Sequence, residues 1–169
     1  MKTNLETLAR NHNFVVLDPA ILHDFDKNNL SNNFLKMAEN IYYQHDNIIT
    51  FPSAFNWGDK VPRKIRAKTI RISRLPYYRG LLKYARSIRY GNIDDYNCRI
   101  SACTIALSYH SKKTAFVSSD QCLHKFINKF AQLVQTGQNP TIPKRVNLLD
   151  AYFFDKSNFS LELTYGEFS

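Results

Sequence analysis

No apolar stretch of this sequence is long enough to cross a membrane: the longest apolar runs, such as Ile100 to Leu107, are broken by Ser, Cys and Thr and fall far short of the roughly 20 residues a spanning helix needs. Glycine is scarce, at 5 of 169 residues, while 44% of the chain is hydrophobic. That balance excludes a collagen-like or disordered chain. The length suits one domain over residues 1–169 with its own core. Only three cysteines occur, Cys98, Cys103 and Cys122, with no C-x-x-C pair and no Cys/His zinc spacing. A disulfide framework and a zinc site are thereby excluded; the three are expected as small buried hydrophobes in a reducing, cytoplasmic setting. The first residues carry one early lysine with no apolar stretch behind it, so no secretory leader is expected.

Acidic residues are the minority, 14 against 23 Lys+Arg, for a formal net charge of +9. Their scarcity is local. Between Asp59 and Asp94 there is none, and the same tract holds Lys60, Arg63, Lys64, Arg66, Lys68, Arg71, Arg74, Arg79, Lys83, Arg86 and Arg89. A solvated helical face interleaves acids with bases, and this tract does not. It predicts binding of nucleic acid or another polyanion. Tyr77, Tyr78, Tyr84 and Tyr90 are interleaved with the charges and are placed either to stack on bases or to pack against the fold.

Short apolar runs alternate with helical periodicity. Phe14 to Leu17, Asn47 to Phe51 and Thr114 to Val117 read as buried strands. Helical spacing covers Leu30 to Tyr43, Pro76 to Arg89, the stretch opened by Asp94-Asp95, and Leu123 to Val134. Lys64 to Ile72 fits helix and strand equally. Residues 140–169 form a C-terminal extension with late strand candidates at Val146 to Phe154 and Leu161 to Tyr165. The expected class is α/β, a three-layer α/β/α sandwich around a mostly parallel sheet.

In such folds sites gather at the carboxyl ends of the strands. Asp18 ends the first strand, Asp120 follows the strand TAFV by two residues, and Asp94 and Asp95 open the helix leading into it. Carboxylates gathered there would bind a hard divalent cation, Mg²⁺ or Mn²⁺, and such a metal beside a basic tract suits phosphodiester hydrolysis. Each acid also has a structural reading, as a turn residue for Asp18 and as a helix cap for Asp94, Asp95 and Asp120. His23, His45, His110, His124 and Trp57 are expected to be structural or exposed.

FVVLDPAIL resembles the opening strand of PIN-domain nucleases, and DDYNCRISACTIALSYHSKKTAFVSSDQCL resembles the second half of that family's domain, over roughly residues 13–130 in all. The resemblance implies metal-binding roles for Asp18 and Asp120, with Ser118 at the hydroxyl position before the latter. It sets Asn97 or Cys98 where the family has an Asp, so either Asp95 or Asp94 serves one turn away or Asn97 supplies a neutral oxygen. After Pro52, where the family carries a Glu, the chain reads SAFNWGDK, with Gly58 near that place and Asp59 the one acid nearby; Glu39 precedes the strand. The implied activity is a metal-dependent endoribonuclease with the Lys60 to Arg89 tract holding RNA. The alternatives are a PIN-like RNA- or ribonucleoprotein-binding module with a weakened metal site, and a toxin-like nuclease controlled by a protein partner.

Overall fold

A computed structural model describes residues 2–18, 48–50, 75–109, 113–144, 148–155 and 160–166. The chain opens with β1 (Lys2–Thr3) and α1 (Leu5–Asn11). Asn4 caps α1 by accepting from the Thr7 N–H at 2.8 Å, and Glu6 pairs with Arg10 one turn on. At His12 the backbone turns extended and enters β2 (Phe14–Leu17). Then follow β3 (Ile48–Thr50), α2 (Tyr78–Ile88), α3 (Asp95–Ser108), β4 (Lys113–Ser118), α4 (Gln121–Gln135), β5 (Leu148–Asp155) and β6 (Ser160–Gly166).

The strands form one sheet in the order β1-β6-β5-β4-β2-β3. Its four neighbours β3, β2, β4 and β5 run parallel. The other edge, β6 and β1, is antiparallel. The expected α/β class with a mostly parallel sheet is therefore present. β5 and β6 occur close to the late strand candidates, but β6 turns back on β5, and β1 closes the edge beyond it. Neither β1 nor α1 was expected, because two residues and a seven-residue helix are too short to show a period.

Parallel pairing without alternation follows from burial on both faces: Val15, Val16, Ala115, Phe116 and Val117 are fully sequestered. α3 packs against β4, β5, α2 and α4, which explains why every residue from Asn97 to Ser108 except Arg99 is buried. Small residues at Ser101, Ala102, Cys103 and Ala106 admit the neighbours. α4 shows the usual amphipathic division, burying Leu123, Phe126, Ile127, Phe130, Ala131 and Val134. Cys98 and Cys103 are buried thiols, whereas Cys122 is exposed in the first turn of α4, against expectation. Burial raises the Cys103 thiol to about 12, so it stays protonated and inert.

Pro76 lies just before α2, and Tyr77 takes the capping place in the left-handed region, with φ 64°. Gly91, at φ 57°, makes the turn between α2 and α3 that a left-handed conformation requires. The expected helix over Leu30 to Tyr43, the segment Lys64 to Ile72, His23, His45, Trp57 and His110 lie outside the described residues. No helix among those described is long and apolar enough to cross a membrane.

Candidate functional site

The register of the parallel pair sets the site. Leu17 of β2 lies opposite Val117 of β4, so the next residues, Asp18 and Ser118, emerge side by side at the carboxyl edge. The Asp18 N–H extends the ladder by donating to the Val117 carbonyl at 2.9 Å. Asp18 is 2% exposed. The Ser118 hydroxyl donates to its Oδ2 at 2.8 Å and accepts from the Asp120 N–H at 3.0 Å. One hydroxyl thus ties the ends of two neighbouring strands to the start of α4.

Asp120 caps α4: its Oδ1 accepts from the N–H groups of Cys122 and Leu123 at 2.9 and 3.2 Å. The capping role foreseen for it is present, and it stands beside the link to Ser118. His124, one turn along, donates Nε2–H to the Ser118 carbonyl at 2.7 Å. Burial lowers its pKa, with the Ser118 contact and the Asp120 charge pulling the other way. The carbonyl accepts only, so the proton sits on Nε2.

Tyr96 is the member that sequence reasoning missed. Its hydroxyl donates to Asp18 Oδ1 at 3.3 Å. Burial, then the charge of Asp18, drive its pKa far above the ordinary tyrosine value, and Asp94 adds to the rise. Tyr96 therefore remains a hydrogen-bond donor. The one cue in the sequence is that position 96 follows the cap residues on a helix that continues in mostly apolar or small residues.

The helix-opening acids separate. Asp94 accepts from the Asn97 N–H at 2.8 Å and caps α3. Asp95 is held by Arg86 Nε at 2.6 Å and Arg99 Nε at 2.9 Å, on a side chain 42% exposed. Those guanidinium groups hold its carboxyl below the usual range, the Arg86 bond most of all. Consecutive helical residues point about 100° apart; with Tyr96 turned to Asp18, Asp95 is directed to the arginines. Asn97 is buried at the same helix start.

Asp59 and the basic residues Lys60, Arg63, Lys64, Arg66, Lys68, Arg71 and Arg74 lie outside the described residues. Arg79, Lys83, Arg86 and Arg89 are exposed along α2 and just beyond it. Among the described residues no three His, Cys, Asp or Glu side chains come together as a group able to hold a metal ion. Asp18, Ser118 and Asp120 do offer an all-oxygen set, and magnesium commonly takes one or two carboxylates completed by water and substrate phosphate. The set therefore fits a hard divalent cation in kind.

Toward the amino ends of the parallel strands lies a second pair that leaves no pattern in the sequence. His12 Nδ1 donates to the Leu8 carbonyl at 2.9 Å, and its Nε2 meets Asp150 Oδ2 at 2.8 Å. The side chains are 2% and 0% exposed. With no access for a substrate, the pair is structural: it fixes the end of α1 to β5. Compared with protein-family models, with curated proteins and with solved structures, the chain matches none.

Proposed function

We propose that the protein is a PIN-like endoribonuclease dependent on Mg²⁺ or Mn²⁺, built as a three-layer α/β/α domain. The observation that carries this reading is the Asp18–Ser118–Asp120 link across the ends of two adjacent parallel strands. Asp18 and Asp120, with Ser118, are the residues that hold the cation. When bound, the cation supplies Lewis-acid polarisation of a phosphoryl oxygen and a more acidic water. The chain's own residues do the rest. Ser118 and Tyr96 fix the Asp18 carboxylate from both oxygens, and burial, with the charge of Asp18, keeps the Tyr96 proton in place. Basic residues on α2 hold the phosphate backbone.

Cleavage of a labelled RNA with and without Mn²⁺, by the wild type and by Asp18→Asn, tests the assignment. The expected result is metal-dependent cutting by the wild type and its loss in the variant. Equal cutting by both rejects the site.

A second reading, an RNA-binding module with a weakened metal site, is favoured by one observation: the Asp95 carboxylate is taken up by Arg86 and Arg99, leaving neutral Asn97 beside Tyr96. Calorimetric titration with Mn²⁺ separates the two readings. Saturable binding supports the nuclease; its absence, with RNA affinity retained, supports the module.

A further inference from the structure

Two large apolar side chains stand exposed among the described residues, Tyr77 at 49% and Tyr90 at 48%. They lie at the two ends of α2, about 20 Å apart by helical rise. Each is propped by a neighbour. Tyr77 leans on Tyr109, with ring centroids 4.9 Å apart; Tyr90 has the Lys129 ammonium 4.9 Å from its centroid and the Phe126 ring edge-on at 6.2 Å. Tyr78 and Tyr84, by contrast, pack against the core.

Between the two exposed rings, Arg79, Lys83 and Arg86 recur at i, i+4 and i+7, one helical face. Leu81 and Ala85 occupy the buried face. Arg89 follows, and Lys125 and Lys129 extend the positive charge along α4. Among the described residues, Asp95 pairs with Arg86 and Arg99 together, so that trio remains net positive. No acid occurs from 60 to 93 or from 121 to 149.

We propose that the outer face of α2, bracketed by Tyr77 and Tyr90, is a binding strip for single-stranded RNA. The cations track the phosphates, and the half-exposed rings stack on bases at each end. This deepens the proposed RNA-directed function and rests on it. Unpaired bases offer their faces to aromatic rings, whereas a duplex hides them. An acidic protein would meet the cations without needing the rings.

The test is fluorescence anisotropy with the full chain in a metal chelator, using a labelled oligouridylate of about ten nucleotides, a duplex of the same length, and poly-glutamate as competitor. The single strand is expected to bind more tightly than the duplex. Tyr77→Leu and Tyr90→Leu each lose roughly 5- to 100-fold in affinity, while Tyr77→Phe and Tyr90→Phe retain it. Tyr77→Gly, which relaxes the left-handed backbone, loses affinity without loss of thermal stability. Arg79→Gln and Lys83→Gln each lower the slope of log affinity against log salt by about 0.7. Unchanged binding by the leucine variants overturns the strip, as does equal affinity for the duplex or displacement of RNA by poly-glutamate at matched charge. Tyrosine-dependent binding without metal-dependent cleavage upholds the strip and tells against the nuclease; cleavage with tyrosine-independent binding does the reverse.

Discussion

Asp18 and Asp150 are both buried on the same sheet, yet their partners differ in kind. Asp150 meets a histidine whose other nitrogen is held by a backbone carbonyl. Asp18 meets two neutral hydroxyls at the carboxyl edge. A buried carboxylate set against imidazole serves the fold, because separating the pair strands a polar group without water. One at the carboxyl ends of parallel strands lies where ligands gather in such folds.

The largest expected effect strikes the amino edge. His12→Ala should cost about 3 kcal/mol of unfolding free energy, since it leaves Asp150 buried without its partner. Asp150→Ala should cost a similar amount, and the double variant less than the sum. Urea denaturation of the three variants measures this, and additive losses would break the view of the pair as one unit. Next comes Ser118→Ala, which removes the bond to Asp18 and the acceptor for the Asp120 N–H. A loss of about 1–3 kcal/mol is expected in the same assay.

A smaller effect depends on pH. Burial sets the His124 pKa below its ordinary 6.5, so the unfolded chain takes up the proton more readily than the folded one. The contribution is intact above pH 6.5 and is lost as pH falls through that value toward the lower folded pKa. His124→Gln should flatten that part of the stability profile, read from urea midpoints across pH 5–8. The smallest change is expected for Asp18→Asn, with stability shifted by less than about 1 kcal/mol, because one hydroxyl goes on donating to the amide oxygen while the other turns to accept from the amide N–H. Calorimetric melting of Asp18→Asn beside Asp150→Asn sharpens the contrast. A large loss at Asp18 with none at Asp150 would invert the roles assigned to the two edges.

Much of the scaffold was legible because buried parallel strands and amphipathic helices leave local patterns. FVVL and TAFV are continuous apolar runs, and α4 repeats apolar residues at helical spacing. The position of Asp18 and Asp120 after strands also pointed to one edge. α1 escaped because it is held by a cap and by tertiary contact more than by a long period. Tyr96, His12 and the orientation of Asp95 escaped for another reason. Each depends on which distant side chain lies opposite, and neither Asp18 to Tyr96, 78 positions apart, nor His12 to Asp150, 138 apart, leaves a trace in local spacing.

By itself the sequence determined the α/β class, the strand ends that carry acids, and the acid-free basic tract, since these follow from hydropathy period and charge order along the chain. Only the tertiary structure decided which side chains meet. Strand register set Asp18 beside Ser118, and helical rotation sent Tyr96 toward Asp18 and Asp95 toward two arginines. The same packing turned Tyr78 and Tyr84 inward and left Tyr77 and Tyr90 at the surface. A residue's chemistry is local, but its partner is fixed by how the elements pack.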